Sequence, residues 1–168
     1  MIRMRRLYAA RAAVAAMFAM FLVVACSEKQ PVPGQQSGVN IVKMEVFKTP
    51  TCGCCNKWVD HLKNEGFAVI TKDRVSLDAI KEGYNIDPHY QSCHTGVVDG
   101  YVFEGHIPAR LIRQFLDDIP EGALGLAVPG MPIGSPGMEM GERFDSYDVL
   151  LLKSDGTSEV FSHVDGPE

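Results

Sequence analysis

Residues 43–62 read K-M-E-V-F-K-T-P-T-C-G-C-C-N-K-W-V-D-H-L, and the fold turns on how this stretch is read. Lys43 to Lys48 alternates around Met44, Val46 and Phe47, which predicts a short strand. Thr49-Pro50-Thr51 breaks it. Trp58, Val59 and Leu62 then follow at i, i+1 and i+4, the spacing of one helix face, and Gly66 stands where a helix C-terminal glycine belongs. The cysteines between strand and helix therefore sit at a helix N-terminus. Exposed N–H groups and the helix dipole there favour thiolate over thiol, and the thiolate is both the nucleophile and the metal ligand.

Outward from this stretch, Phe67 to Ile70 is apolar and β-prone and predicts a second strand. Leu77 to Tyr84 fits a second helix, with Ser76 as N-cap and Asp78 in the first turn. Thr95–Val98 and Tyr101–Glu104 flank Asp99-Gly100, a strong hairpin signal. Pro108 opens a third helix carrying Leu111, Ile112, Phe115 and Leu116. The resulting β-α-β-α-β-β-α order, with the cysteines at the first strand-to-helix junction, predicts an α/β chain with a thioredoxin-like core.

Beyond Pro120 the character changes. Gly122, Gly125, Gly130, Gly134, Gly137 and Gly141, interleaved with Pro129, Pro132 and Pro136, predict one long irregular loop that also carries Met131, Met138 and Met140. Val149–Leu152 and Glu159–Phe161 around Asp155-Gly156 predict a C-terminal β-hairpin. There is no internal repeat.

The N-terminus has a different purpose. Arg3, Arg5, Arg6 and Arg11 precede an apolar run from Ala12 to Val24, the layout of a secretory signal. The run is shorter than the roughly 20 residues a spanning helix needs. Val23-Val24-Ala25-Cys26 resembles a bacterial lipobox, which would make residues 1–25 a lipoprotein signal peptide and Cys26 the lipidated residue. Residues 26–38, rich in proline and glycine, read as a flexible tether, and 39–168 as the ordered domain. Ser27 fits outer-membrane sorting in a Gram-negative cell. The chain has 16 basic and 21 acidic side chains; cleavage before Cys26 removes four arginines and no acid, leaving 12 against 21 and a formal charge of −9. That balance disfavours nucleic acid and anionic membrane surfaces as partners, leaving the lipid as the membrane contact. The compartment implied is the periplasmic side of the cell envelope, where cysteines are usually paired, metal-bound or catalytic.

Four cysteines then remain: Cys52, Cys54, Cys55 and Cys93. Cys52 and Cys55 form a C-x-x-C frame, which on a redox reading would be the catalytic pair of a metal-free thiol–disulfide oxidoreductase acting on envelope proteins. A plain disulfide staple is the bland alternative, although three cysteines in four positions are awkward for simple pairing. Cys93-His94 precedes the first hairpin, at the junction that faces a C-x-x-C site in a thioredoxin-like chain. Four thiolates can then converge. His94 is a further metal candidate, whereas His106, before Ile107-Pro108, reads as a helix-start residue. Zinc sites normally use two separated C-x₂₋₄-C pairs, while closely spaced thiolates suit bridging between several Cu(I) ions. Met131, Met138 and Met140 are either plugs under their loop or soft thioether ligands, and thioether with thiolate selects Cu(I).

T-C-G-C-C with K-W-V, S-C-H-T with V-V-D-G-Y, and V-P-G-M-P-I-G-S-P-G-M-E-M-G, in this order between about Val42 and Phe161, closely resemble the CopG-like family of bacterial envelope copper-resistance proteins. The resemblance implies a thioredoxin-like fold, a copper cluster held by Cys52, Cys54, Cys55 and Cys93, and copper oxidoreductase activity. A third reading is a copper chaperone that passes metal to an efflux system without redox turnover. Envelope efflux or redox proteins would be its partners.

Overall fold

The computed structural model describes residues 41–167. The expected signal peptide, Cys26 and the tether fall outside the described residues. Among the described residues no helix is long and apolar enough to cross a membrane.

Strand β1 (Lys43–Lys48) leads into helix α1 (Gly53–Asn64), then β2 (Ala68–Asp73) and a short helix α2 (Asp78–Gly83). A 3₁₀ turn (Pro88–Tyr90) precedes β3 (His94–Val98), β4 (Tyr101–Glu104) and helix α3 (Ala109–Asp117). Strands β5 (Ala123–Ala127), β6 (Tyr147–Lys153) and β7 (Ser158–Val164) complete one seven-stranded mixed sheet in the order β2-β1-β3-β4-β5-β6-β7. β1 runs parallel to β2 and antiparallel to β3, and β3–β4 is the hairpin expected at Asp99-Gly100, both of which take positive φ. The described residues thus form a mixed α/β fold with few helices.

Period-two alternation sorts the sheet residues onto two faces. Met44, Val46, Phe103, Leu126, Val149 and Leu151 face Trp58, Val59 and Leu62 of α1 and Leu111, Ile112 and Phe115 of α3 in the main core. Phe47, Val97, Val102, Ala127 and Leu152 belong to smaller clusters with Leu77 and Ile86, the residues flanking α2. Trp58 is fully buried and donates from Nε1 to the Ile107 carbonyl at 2.9 Å, tying α1 to the entry of α3. At the end of α1, Gly66 has φ +82°, Phe67 N–H reaches the Leu62 carbonyl and Gly66 N–H the Lys63 carbonyl. This is the paired hydrogen-bond pattern of a glycine helix stop.

Two sequence expectations change. The glycine-rich segment begins with β5, a sheet-interior strand between β4 and β6, before it becomes irregular. Glycine is required there: at Gly125 (φ +154°) any Cβ would overlap the backbone of Val102 on β4. The C-terminal hairpin expected around Asp155-Gly156 is present as β6–β7, and through β5 it joins the main sheet. Helix α2 starts at Asp78, with Leu77 at the cap position; Ser76 Oγ accepts the Asp78 N–H at 3.1 Å one residue further out.

Candidate metal centre

The register of β1 against β3 builds the site. Lys48 stands opposite His94, so Cys93 emerges from β3 beside the turn by which Thr49–Thr51 carries β1 into α1. At that turn Cys52 is the N-cap of α1, with extended backbone, and its sulfur accepts the Cys55 N–H at 3.3 Å. The sequence could therefore place three sulfurs on a helix N-terminus, and strand pairing brings the fourth. One sulfur from each of Cys52, Cys54, Cys55 and Cys93 lies within 4.8 Å of the others. Cys55 is fully buried and the other three are partly exposed.

The spacing argument against simple pairing does not hold in this structure. Cys52 and Cys55 form a disulfide, and Cys54 and Cys93 are free. The Cα atoms of the bridged pair are 5.3 Å apart, a separation a disulfide spans, because one helical turn brings i and i+3 together. Cys93 Sγ lies 3.2 Å from Cys55 Sγ, and Cys54 Sγ 3.6 Å from Cys52 Sγ, so each free sulfur sits against one sulfur of the bridge. Burial first, then the neighbouring Cys54, pushes the Cys93 thiol up to about 11. Without a cation beside it, Cys93 keeps its proton; a bound metal would displace that proton.

Two buried histidines flank Cys93, of which the sequence marks His94 as the metal candidate. His94 stacks on Trp58 with ring centroids 4.4 Å apart, and its Nε2 faces the Gly105 carbonyl at 3.0 Å while Nδ1 lies 3.5 Å from Cys93 Sγ. His106, read from sequence as a helix-start residue, is fully buried with its ring edge-on to His94 at 5.1 Å. Its Nδ1 faces the Pro136 carbonyl at 2.8 Å. Burial lowers both: His94 falls to about 3, with His106 adding to the effect, and His106 also drops below its ordinary value. Both imidazoles are therefore neutral at physiological pH, the state in which histidine binds metal.

A buried ion pair fixes the Cys93 segment, and it too went unread in the sequence. Glu104 and Lys81 are buried, with Nζ 2.6 Å from Oε2. The Glu104 carboxylate also accepts the Ser92 N–H at 2.7 Å and the Thr95 hydroxyl, so it grips the chain on both sides of Cys93-His94. The available signal was periodicity: in Tyr101-Val-Phe-Glu104 the acid shares a face with Val102, a core position.

The glycine-rich loop folds over the N-terminus of α1. A Cβ on Gly137 would come within 2.8 Å of Trp58 N and 3.1 Å of the Cys54 carbonyl oxygen. Met138 and Met140 line a shallow depression together with Cys54, Gly53 and Lys57. Met131 does not line it and is exposed, at positive φ. Of the three thioethers, the structure brings two beside a cysteine.

The donor chemistry suits a soft metal. Once the disulfide is reduced, four sulfurs, three from the N-terminus of α1 and one from the entry to β3, match Cu(I) or Zn(II) rather than a hard cation. The fold is similar to that of proteins of known structure. A solved structure titled "Copper resistance protein copG- Form 1" aligns over 75% of this chain and 99% of its own, with 40% sequence identity and a TM-score of 0.70. A second, titled Form 2, aligns over 74% and 99% at 38% identity, also with a TM-score of 0.70. The chain belongs to the CopG-like family. The sequence family described as "Protein of unknown function, DUF411" matches residues 90–138, the span of this CopG-like chain that runs from Cys93 through His106 to Met138. No curated protein matches the chain.

Proposed function

We propose that this CopG-like protein serves copper resistance in the bacterial envelope, binding Cu(I) through the reduced thiolates of Cys52, Cys54, Cys55 and Cys93. The observation that carries the reading is the mutual approach of all four sulfurs within 4.8 Å, in a chain 40% identical to a copper-resistance protein. Sulfurs this close can bridge several Cu(I) ions. His94 beside Cys93, and Met138 and Met140 beside Cys54, are auxiliary donors in this reading; exposed Met131 would serve in capture at the loop surface. The fold reading belongs with it: β1-α1-β2 and β3-β4-α3, with the cysteines after β1, support a thioredoxin-like core. The arginine-rich leader and the lipobox support secretion and lipid anchoring at Cys26, on the periplasmic face of the outer membrane.

The disulfide gives the site a second state. Two-electron oxidation of Cys52 and Cys55 removes two of the four ligands, so copper loading requires their reduction. Cycling between Cu(I) and Cu(II), with an envelope redox protein exchanging the electron, extends the reading to a copper oxidoreductase. The same disulfide favours the rival, a metal-free thiol–disulfide oxidoreductase whose catalytic pair is Cys52 and Cys55.

Anaerobic titration of the reduced protein against a Cu(I) chelator tests the copper reading, with X-ray absorption reporting the ligands. Tight binding with sulfur coordination supports it. No competition with the chelator, together with turnover of the metal-free protein in a disulfide-reductase assay, would transfer the assignment to the rival.

A further inference from the structure

The hydrogen bonds of the two buried histidines fix their tautomers. A carbonyl oxygen can only accept, so the ring nitrogen facing it must carry the hydrogen. His94 Nε2–H therefore donates to Gly105, leaving Nδ1 as a bare lone pair toward Cys93. His106 Nδ1–H donates to Pro136, leaving Nε2 bare, fully buried and without a hydrogen-bond partner among the described residues. Buried polar atoms are seldom left unpaired without a reason, and an unprotonated imidazole nitrogen whose other N–H is held by a backbone carbonyl is the arrangement of a metal ligand. One donor atom from each of Cys93, His94 and His106 lies within 4.8 Å of the others.

We infer that Cys93, His94 and His106 form a second copper position, with two imidazole nitrogens and one thiolate as donors, sharing Cys93 with the four-sulfur set. This rests on the copper reading above and adds a ligand, His106, which that reading does not use. The two donor sets differ in what they tolerate. Four thiolates favour Cu(I), whereas two imidazoles and a thiolate accommodate Cu(II) as well as Cu(I). A sulfur common to both places the positions side by side. The loop takes part through Pro136, whose carbonyl orients the His106 ring.

The experiment is copper-edge X-ray absorption with copper counting on the reduced, copper-loaded protein, its His106→Gln variant and its Cys54→Ser variant. In H106Q the side-chain amide keeps an N–H for the Pro136 carbonyl but removes the imidazole lone pair. The expected wild-type spectrum contains imidazole scattering beside sulfur. H106Q should lose about one copper per chain and part of the imidazole amplitude while its sulfur shell persists, and C54S should keep the imidazole amplitude. Sulfur-only coordination in the wild type overturns the second position and leaves the four-sulfur reading standing. Unchanged copper count and imidazole amplitude in H106Q also overturn it, since Nε2 then holds no metal. A wild type that binds no copper removes both readings. If H106Q fails to fold, the number of imidazoles in the wild-type spectrum decides: two support the second position, whereas one, which His94 alone accounts for, overturns it.

Discussion

Cys93 Sγ lies 3.2 Å from Cys55 Sγ, although the two residues are 38 positions apart in the chain. Each arrives by a different route. Cys55 is delivered by the helical turn that starts at Cys52, and Cys93 by the pairing of β3 with β1. The contact makes the site a property of the fold as much as of the cysteine motif.

The oxidised state follows directly from this geometry. In a protein with Cys26 replaced by Ala, thiol titration without reductant should find the two free cysteines, Cys54 and Cys93. Pretreatment with a reductant should expose Cys52 and Cys55 as well. Copper uptake should rise with that reduction; uptake equal in both states would show that the Cys52–Cys55 pair is not part of the binding set.

Glu104 is buried against Lys81 and also holds the Ser92 N–H. Glu104→Gln leaves the Lys81 ammonium buried without its counter-charge, a change that costs about 3–5 kcal/mol. Denaturant unfolding should show that loss, and Lys81→Met in the same chain should restore part of it. Because the Ser92 tether is weakened as well, Cys93 in the single variant should alkylate faster than in the wild type. A loss below about 1 kcal/mol would mean the pair is not desolvated as described.

Gly137 combines φ +88° with contact against the α1 backbone. Gly137→Ala should destabilise the protein by on the order of 1–3 kcal/mol, through backbone strain and overlap. The loop should lift from Cys54 and His106, seen as faster hydrogen exchange over residues 131–140. Unchanged exchange there would show that the loop does not depend on this approach.

Much of this architecture is written in local patterns. Met44, Val46 and Phe47 mark β1, Trp58, Val59 and Leu62 mark the buried face of α1, and Asp99-Gly100 marks the β3–β4 turn; each is decided by neighbours within a few residues. Strand β5 was not legible because Gly125 is selected by the approach of Val102, a contact across strands, and glycine otherwise signals a loop. In sequence His106 reads as a helix-start residue because its neighbours Ile107-Pro108 say only that; its burial comes from His94 on β3 and Pro136 in the loop. The three clustered cysteines could be seen in the sequence. The disulfide between two of them could not be separated there from metal binding, because both uses need the same i, i+3 spacing.

Copper content of the reduced, anaerobically purified protein, compared with its Cys93→Ser variant, tests the central claim most directly. Since Cys93 is the one sulfur that only the fold brings to the site, the account predicts at least one copper per wild-type chain, with sulfur ligation, and a marked loss of copper in the variant. Less than one copper per wild-type chain, or a copper content unaffected by Cys93→Ser, would contradict it.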